Sequence, residues 1–157
     1  MSDIIEMVIP AKPDYVGVAR LTVSGIASRM GYTFDEIEDI KIAVSEAITN
    51  AVNHAYGAED KGEIHLSYGM YDDKIEITVT DKGKSFDVEA TKLSTGPVNG
   101  KPVDQINEGG LGLFLIETLM DKVDISDEAG VVVMMTKYLN RDEVDESVDQ
   151  YKSAPSQ

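Results

Sequence analysis

This 157-residue chain contains no cysteine and has few basic residues for its size. Without cysteine there is no disulfide, no thiolate zinc site and no cysteine nucleophile. This is compatible with a reducing cytosol. No run approaches the roughly 18 apolar residues that a membrane helix needs, so we expect no membrane span. The first residues, 1–6, carry acid rather than base, so we expect no secretory signal and a cytoplasmic protein.

Basic side chains are outnumbered by acidic ones, 14 against 29, which gives a formal net charge of −15. This charge repels a phosphate backbone and argues against direct nucleic-acid binding. It suits a partner with a basic face or a nucleotide that arrives with a divalent cation, but it also simply keeps a protein soluble. Rival catalytic signatures are absent as well: the GxxxxGK[ST] phosphate loop, the HRD and DFG elements of protein kinases, and HExxH.

The hydrophobic pattern predicts one domain with a two-layer α/β sandwich fold. Period-two alternation predicts strands at 5–9, 64–68, 75–79, 123–126 and 131–138, and helical spacing predicts helices at about 13–30, 33–56 and 113–120. This order predicts a mostly antiparallel mixed sheet with helices packed on one face. We place the domain at residues 1–140 and expect the acidic segment 141–157 to be a flexible tail.

Two local features of the first two helices are also informative. Thr33 and Glu36 have the spacing of a capping box, which predicts where the second helix begins. Gly17 and Gly25 interrupt the first helix at a cost of about 1 kcal/mol each, and we expect them to allow close packing against another element.

The second helix carries a narrow polar stripe of Glu46, Asn50 and Asn53. At about 100° per residue, Asn50 lies about 40° to one side of Glu46 and Asn53 about 20° to the other. A carboxylate and two carboxamides on one stripe can hold a metal ion and activate a hydroxyl. A solvated surface helix explains the same pattern, and this segment alone favours that simpler interpretation.

Two further polar islands interrupt the pattern of strands and helices. The sequence Asp81-Lys82-Gly83 stands at a strand end, and Gly109-Gly110-Leu111-Gly112 precedes a helix. Helix amides and the positive end of the helix dipole suit a triphosphate. Taken alone, the segment 81–83 is an ordinary turn, and the segment 109–112 is a tight loop that enters a helix.

The order and spacing of the three islands resemble the Bergerat ATP-binding fold of the GHKL superfamily, which includes DNA gyrase, Hsp90, histidine kinases and MutL. Within it, residues 45–56 (SEAITNAVNHAY) look like the N-box of bacterial anti-sigma factor serine kinases. Residues 15–22, 27–32 and 108–113 are similar to the same family. The resemblance covers about residues 5–140.

This resemblance implies a role for each residue of the stripe. Asn50 resembles the asparagine that coordinates Mg²⁺ through its side-chain oxygen, while phosphate oxygens and water complete the shell. Glu46 resembles the general base that takes the proton of an attacking serine hydroxyl. Asn53 is expected to give polar support in the nucleotide site.

The other two islands resemble the remaining walls of an ATP site. Asp81 resembles the carboxylate that accepts a hydrogen bond from the adenine amino group, and Gly83 lets the backbone approach the base. The segment Gly109-Gly110-Leu111-Gly112-Leu113 resembles the phosphate-binding helix start. Residues 87–108 correspond to the lid over the nucleotide.

Some positions remain open. Many kinases of the wider group carry a basic residue where Glu108 stands, so Lys92 and Lys101 are candidates for the cation that meets the γ-phosphate. Tyr15 and Arg20 are candidates for a protein partner, although a plain helix surface explains them equally well. We expect no catalytic role for His54, and a structural one for His65.

The family implies an anti-sigma factor that sequesters a general-stress, sigma-B-type sigma factor. It also implies an ATP- and Mg²⁺-dependent serine kinase that inactivates its anti-anti-sigma antagonist, a STAS-domain protein, and a homodimer. Two alternatives stay open. One is a switch kinase that acts on another STAS-domain protein without binding a sigma factor; the other is a non-catalytic domain that senses nucleotide.

Overall fold

The described part of the chain folds into a five-stranded sheet covered by three helices. The computed structural model describes residues 2–55, 62–81, 108–126 and 131–139. The strands are β1 (Asp3–Pro10), β2 (Glu63–Met70), β3 (Lys74–Asp81), β4 (Lys122–Ser126) and β5 (Val131–Tyr138). The helices are α1 (Val16–Met30), entered through a 3-10 turn at Pro13–Tyr15, α2 (Phe34–Ala55) and α3 (Glu108–Leu119). No helix among the described residues is long and apolar enough to cross a membrane.

The strands follow the order β1-β2-β3-β5-β4, and every pairing is antiparallel. Asp81, the last residue of β3, lies opposite Ile64 near the start of β2 and opposite Val131 at the start of β5. These three residues mark one end of the sheet, which we call the site end; the opposite end is the far end. The predicted two-layer α/β sandwich is confirmed.

Alternation along the strands places the core between the sheet and the helices. On β3, Ile75, Ile77 and Val79 are buried, while the intervening residues are half-buried on the other face. Helix α2 lies at the centre of the helical layer and contacts α1, α3, β3 and β5. The side chains that α2 buries in this core are Ile40, Ala43, Val44, Ala47, Ile48 and Ala51.

The start of α2 is fixed by the predicted capping box. The Thr33 amide donates to Glu36 Oε1 at 2.9 Å, and the Glu36 amide donates to Thr33 Oγ1 at 3.2 Å. Both donors would otherwise have no partner within the helix. The preceding helix ends at Gly31, whose φ of 101° is the left-handed conformation that favours glycine at this position.

At the far end, α3 is tied to β5 by polar contacts. Lys137 Nζ donates to the carbonyl of Leu119, the last residue of α3, at 2.8 Å. The Tyr138 amide donates to Asp121 Oδ2 at 2.7 Å, and the Tyr32 hydroxyl donates to the carbonyl of Lys137. The bond from Lys137 caps the carbonyl end of α3 and places a cation where the helix dipole favours one, while the other two bonds fix the backbone of β5.

Two details differ from the sequence predictions. Helix α3 begins at Glu108 rather than Leu113, so the glycine segment forms its first turn. The expected close packing at the α1 glycines was wrong: among the described residues, a Cβ at Gly25 would meet nothing within 4 Å, and one at Gly17 would meet only the Arg20 side chain, at 3.6 Å. The predicted tail, 141–157, lies outside the described residues.

Candidate functional site

Helix α2 carries Glu46 and Asn50 along the border between its buried and exposed faces. Ala43 and Ala47 on the buried side have small side chains that seat this helix against its neighbours. Glu46 and Asn50 are half-buried, whereas Asn53, less than one turn further on, is exposed. The predicted stripe therefore exists, but its three members differ in how far they are withdrawn from solvent.

Gly112 of α3 closes against the two withdrawn members of the stripe. A Cβ built on Gly112 would lie 3.0 Å from Glu46 Oε2, 3.0 Å from Asn50 Nδ2 and 3.2 Å from Asn50 Oδ1. Only glycine leaves enough room here for both side chains to stay in place, because real Cβ contacts are almost always longer. The structure thus brings together residues from two of the three islands that the sequence singled out.

The carboxamide of Asn50 is incompletely satisfied. Its Nδ2 is buried and has no hydrogen-bond partner among the residues that the structure describes. A buried polar atom without a partner costs about 1–3 kcal/mol, so native proteins rarely keep one without a reason. A site that binds a polar ligand is one such reason, since the ligand supplies the missing partner.

Asp81 places a carboxylate at the site end of the sheet. It is the last residue of β3 and only 1% exposed, one of two buried polar or charged residues in the described part of the chain. Taking a carboxylate out of water is costly unless it interacts strongly, so such a position is typical of a group with a specific task. Gly83, two residues further, lies outside the described residues, as does Lys82.

The glycine segment supplies backbone amides instead of side chains. Gly109, Gly110 and Leu111 lie in the first turn of α3, where the first four amides have no acceptor within the helix. These amides and the positive end of the dipole favour an anion at this position. Leu113 is 2% exposed and belongs to the hydrophobic core, so its side chain anchors the helix.

Described carboxylates and imidazoles form no metal centre by themselves. No group of three or more His, Cys, Asp or Glu side chains in the described ranges is arranged to hold a metal ion. His65 lies on the half-exposed side of β2 with its Nε2 3.5 Å from Glu63 Oε2, as expected for a structural surface residue. Any metal at Asn50 would therefore draw most of its ligands from elsewhere.

The remaining candidates are not joined to Glu46 and Asn50. Tyr15 is 37% exposed just before α1, and Arg20 is exposed on that helix. In the described part of the chain, neither forms a hydrogen bond or ion pair with the stripe. The candidates Lys92 and Lys101, and the predicted lid except Glu108, lie outside the described residues, and so does the His54 side chain.

One exposed residue beside the site was missed by sequence reasoning. Ile42 lies one turn before Glu46 and is 42% exposed, although the helix has a large apolar face elsewhere. Its spacing of four residues from Glu46 is the signal that places it on nearly the same face.

Comparison with known proteins gives one family. Residues 9–137 match the family model described as histidine kinase-like ATPase domain. A protein of Oceanobacillus iheyensis named serine-protein kinase RsbW is 58% identical over 149 residues, which span 94% of both chains. The protein of that name from Bacillus subtilis is 56% identical over 145 residues, 92% of this chain and 91% of the other.

Solved structures share the fold at low sequence identity. The RsbU and RsbW domains of a Mycobacterium tuberculosis protein match with a TM-score of 0.61 and 21% identity. That match covers 86% of this chain but only 31% of the longer one. The catalytic domain of the histidine kinase ThkA matches with a TM-score of 0.50 and 17% identity, over 87% of this chain and 97% of the other.

Proposed function

We propose the function of this chain from one premise: it belongs to the histidine kinase-like ATPase domains and, among them, to the RsbW serine-protein kinases. It is an ATP-dependent protein-serine kinase with the role of an anti-sigma factor. The observation that carries this conclusion is the close packing of Gly112 on Glu46 and Asn50. A Cβ built on Gly112 would lie 3.0 Å from Glu46 Oε2 and 3.0 Å from Asn50 Nδ2. An acid, a carboxamide and the start of a helix lie close together, which supports phosphoryl transfer because its catalysis rests on a base, on positioning and on stabilisation of charge.

Glu46 is our proposed general base. It is half-buried, so its carboxylate stays accessible to a serine hydroxyl that arrives from solvent. In the reaction, Glu46 accepts the hydroxyl proton while the serine oxygen forms a bond to the γ-phosphorus of ATP. The bond from that phosphorus to the bridging oxygen breaks, and ADP leaves with the electron pair.

Asn50 is the proposed protein ligand of Mg²⁺. A carboxamide offers one oxygen acceptor and one nitrogen donor, so Asn50 can ligate a hard cation and also give its buried Nδ2 to a phosphate oxygen. Mg²⁺ is commonly held by one or two protein oxygens and the substrate phosphates, which fits a site with no cluster of acids among the described residues. When bound, the cation neutralises negative charge on the phosphates.

The remaining walls of the site are assigned to the nucleotide. Asp81 is proposed to accept a hydrogen bond from the adenine amino group, with Gly83 giving the base room. The segment Gly109-Gly110-Leu111-Gly112-Leu113 is proposed as the phosphate wall, with the free amides in the first turn of α3 holding the phosphates. Asn53 is a polar neighbour in this arrangement, and residues 87–108 are the proposed lid.

The proposed partners are proteins. We infer that the chain holds a sigma-B-type sigma factor away from RNA polymerase and phosphorylates a serine of a STAS-domain anti-anti-sigma protein. The net charge of −15 supports partners with basic faces and opposes direct binding to nucleic acid. Tyr15 and Arg20, both exposed, are candidates for these contacts. A protein that acts on a sigma factor works in the cytoplasm, and we propose that it does so as a homodimer.

The experiment that tests this function is a transfer assay with a binding arm. The purified chain is incubated with γ-labelled ATP, Mg²⁺ and candidate STAS-domain proteins, and we expect label on a serine of one of them. In parallel, the chain should retain a sigma factor from lysate and release it when unphosphorylated antagonist is added. Transfer without sigma-factor retention would favour the switch kinase, and nucleotide binding without any transfer would favour the non-catalytic sensor. Light scattering tests the dimer.

A further inference from the structure

The solvent-facing side of α2 forms a ridge that leads directly to Glu46. At about 100° per residue, five side chains lie within about 40° of Ile42 on the helix surface: Asp35, Glu38, Glu46, Thr49 and Asn53. Ile42 is 42% exposed, and Asp35, Thr49 and Asn53 are exposed as well. We call Asp35, Glu38, Ile42 and Thr49 the α2 ridge.

Access to the Glu46 carboxylate is limited on its other sides. Ala43 and Ala47 next to it are buried in the core, and Gly112 of α3 closes the side toward that helix. Among the described residues, the α2 ridge is the side of Glu46 that stays open to a folded protein delivering a hydroxyl. Ile42 lies one turn, about 6 Å along the helix axis, from the base.

Among the exposed large apolar side chains of the described residues, Ile42 alone lies on the Glu46 face of α2. Phe34, the other one on this helix, is two turns further away and about 80° around it. A single exposed isoleucine needs no explanation by itself. Its position beside a proposed catalytic base, on the open approach, is what points to a contact.

We propose that the α2 ridge is the docking surface for the protein substrate, with Ile42 as its apolar contact. This proposal rests on the proposed kinase function and names the chemistry of the substrate. The substrate is a folded protein with an apolar side chain next to its acceptor serine. It carries basic residues beyond that side chain, where Asp35 and Glu38 provide carboxylates. Lys41 Nζ lies 3.1 Å from Glu38 Oε1 and offsets the charge of that carboxylate. Because Asp35 adds a second carboxylate, the ridge and Lys41 together still carry a negative net charge.

Because of its location, Ile42 should affect KM for the protein substrate but not KM for ATP. It lies on the side of Glu46 away from Asn50, so truncating it removes a contact with the protein substrate and leaves the nucleotide walls intact. We expect Ile42→Ala to raise KM for the protein substrate about tenfold, with kcat and KM for ATP unchanged. Ile42→Leu, which keeps the apolar contact, should restore most of the affinity.

The matched control is Val8→Ala. Val8 is a β-branched apolar residue, 54% exposed, on the face of the sheet opposite the helices. We expect Val8→Ala to leave KM for the protein substrate unchanged. The charge of the ridge is tested by Asp35→Asn combined with Glu38→Gln, which should raise this KM at low salt and lose its effect at high salt.

Two results would overturn the proposal in distinguishable ways. If the wild-type chain transfers phosphate to a protein serine but Ile42→Ala leaves KM for that protein unchanged, the docking surface is wrong and the kinase function stands. The docking surface is equally wrong if Ile42→Ala raises KM for ATP as much as KM for the protein. If the wild-type chain transfers phosphate to no protein, both proposals fail together.

Discussion

The two ends of the sheet treat their polar groups in opposite ways. At the far end, Lys137 caps the carbonyl of Leu119 at 2.8 Å, Asp121 accepts from the Tyr138 amide, and Tyr32 reaches the β5 backbone. At the site end, the buried Nδ2 of Asn50 has no partner in the described part of the chain. The C-terminal end of α3 is thus hydrogen-bonded to the sheet, while its N-terminal end lies beside a site in which a buried polar atom has no partner among the described residues.

This difference separates residues that hold the fold from residues that we propose to serve the reaction. Polar groups at the far end are satisfied by the protein, so each bond contributes about 1 kcal/mol to stability. An unsatisfied group at the site end costs stability until a ligand completes it. Substitutions at the two ends should therefore have opposite effects on stability and on nucleotide binding.

The largest effect on binding is expected from Asn50→Ala. It removes the proposed Mg²⁺ ligand and should lower Mg²⁺-dependent ATP affinity about 10- to 100-fold, since a bond to a charged group contributes about 1.5–3 kcal/mol. It also removes a buried donor without a partner, so the free energy of unfolding should stay the same or rise. Titration calorimetry with Mg²⁺ and with EDTA measures the first, and urea unfolding the second.

The control is Asn53→Ala, because Asn53 is exposed and should contribute less than Asn50 to the affinity for MgATP. An Asn50→Ala protein that binds MgATP like the wild type would remove the metal role. A large loss of stability in this variant would contradict the contrast between the two ends.

A smaller effect is expected from Gly112→Ala. Its Cβ would come within 3.0 Å of Glu46 Oε2 and Asn50 Nδ2, so both side chains have to move by a few tenths of an ångström. We expect kcat to fall about tenfold, because displacement of a catalytic group by a fraction of an ångström weakens transfer more than binding. Thermal unfolding should be nearly unchanged, since alanine favours the helix. Normal kcat would show that the contact does not constrain Glu46.

At the far end, Tyr32→Phe should cost about 1 kcal/mol of stability and leave transfer unchanged. Burial raises the pKa of the Tyr32 phenol above its ordinary value, and the carboxylates of Glu36, Asp121 and Asp73 add to this. The folded state therefore keeps the phenolic proton longer than the unfolded state. The stability that Tyr32 contributes is fully present below the unfolded pKa of about 10 and is lost as the pH rises above it.

Urea unfolding at about pH 8 and above about pH 10, on either side of the ordinary tyrosine pKa, checks this prediction. The wild type should lose stability with rising pH more steeply than Tyr32→Phe does. Parallel curves would contradict the role given to the Tyr32 phenol.

The smallest effect is expected from Gly25→Ala, which should raise stability, whereas Tyr32→Phe should lower it. A Cβ at this position meets nothing within 4 Å in the described part of the chain, so the substitution should gain helix propensity without a clash. We expect about 0.5–1 kcal/mol of added stability and an increase in Tm of about 1–4 °C. Calorimetry gives the shift, and a decrease in Tm would mean that Gly25 has a neighbour outside the described residues.

Much of the fold could be predicted from the sequence because its signals are local. Alternation predicted the strands, and the Thr33–Glu36 pair predicted the start of α2, as their reciprocal bonds confirm. The start of α3 was placed at Leu113 instead of Glu108, because a glycine segment is typical of a loop although the first turn of a helix tolerates it. Gly25 was misjudged since a helical glycine carries no signal of what surrounds it.

The candidate site was predicted less completely than the fold. The stripe and the glycine segment were identified from spacing and family resemblance, and the packing of Gly112 on Glu46 and Asn50 brings the two together. The orphaned Nδ2 of Asn50 could not be foreseen, because burial of a single atom depends on how α3 docks. Ile42 was missed for a similar reason: hydrophobicity does not tell which apolar residue stays exposed.

The most direct test is single-turnover phosphoryl transfer by Glu46→Gln at saturating MgATP and protein substrate. Glutamine keeps the shape that packs against Gly112 but accepts no proton. If Glu46 is the base, the rate of transfer falls about 10²- to 10⁴-fold, while the affinity for MgATP stays within about twofold of the wild type. Transfer at the wild-type rate would contradict the assignment of Glu46 and, with it, the proposed chemistry of the site end.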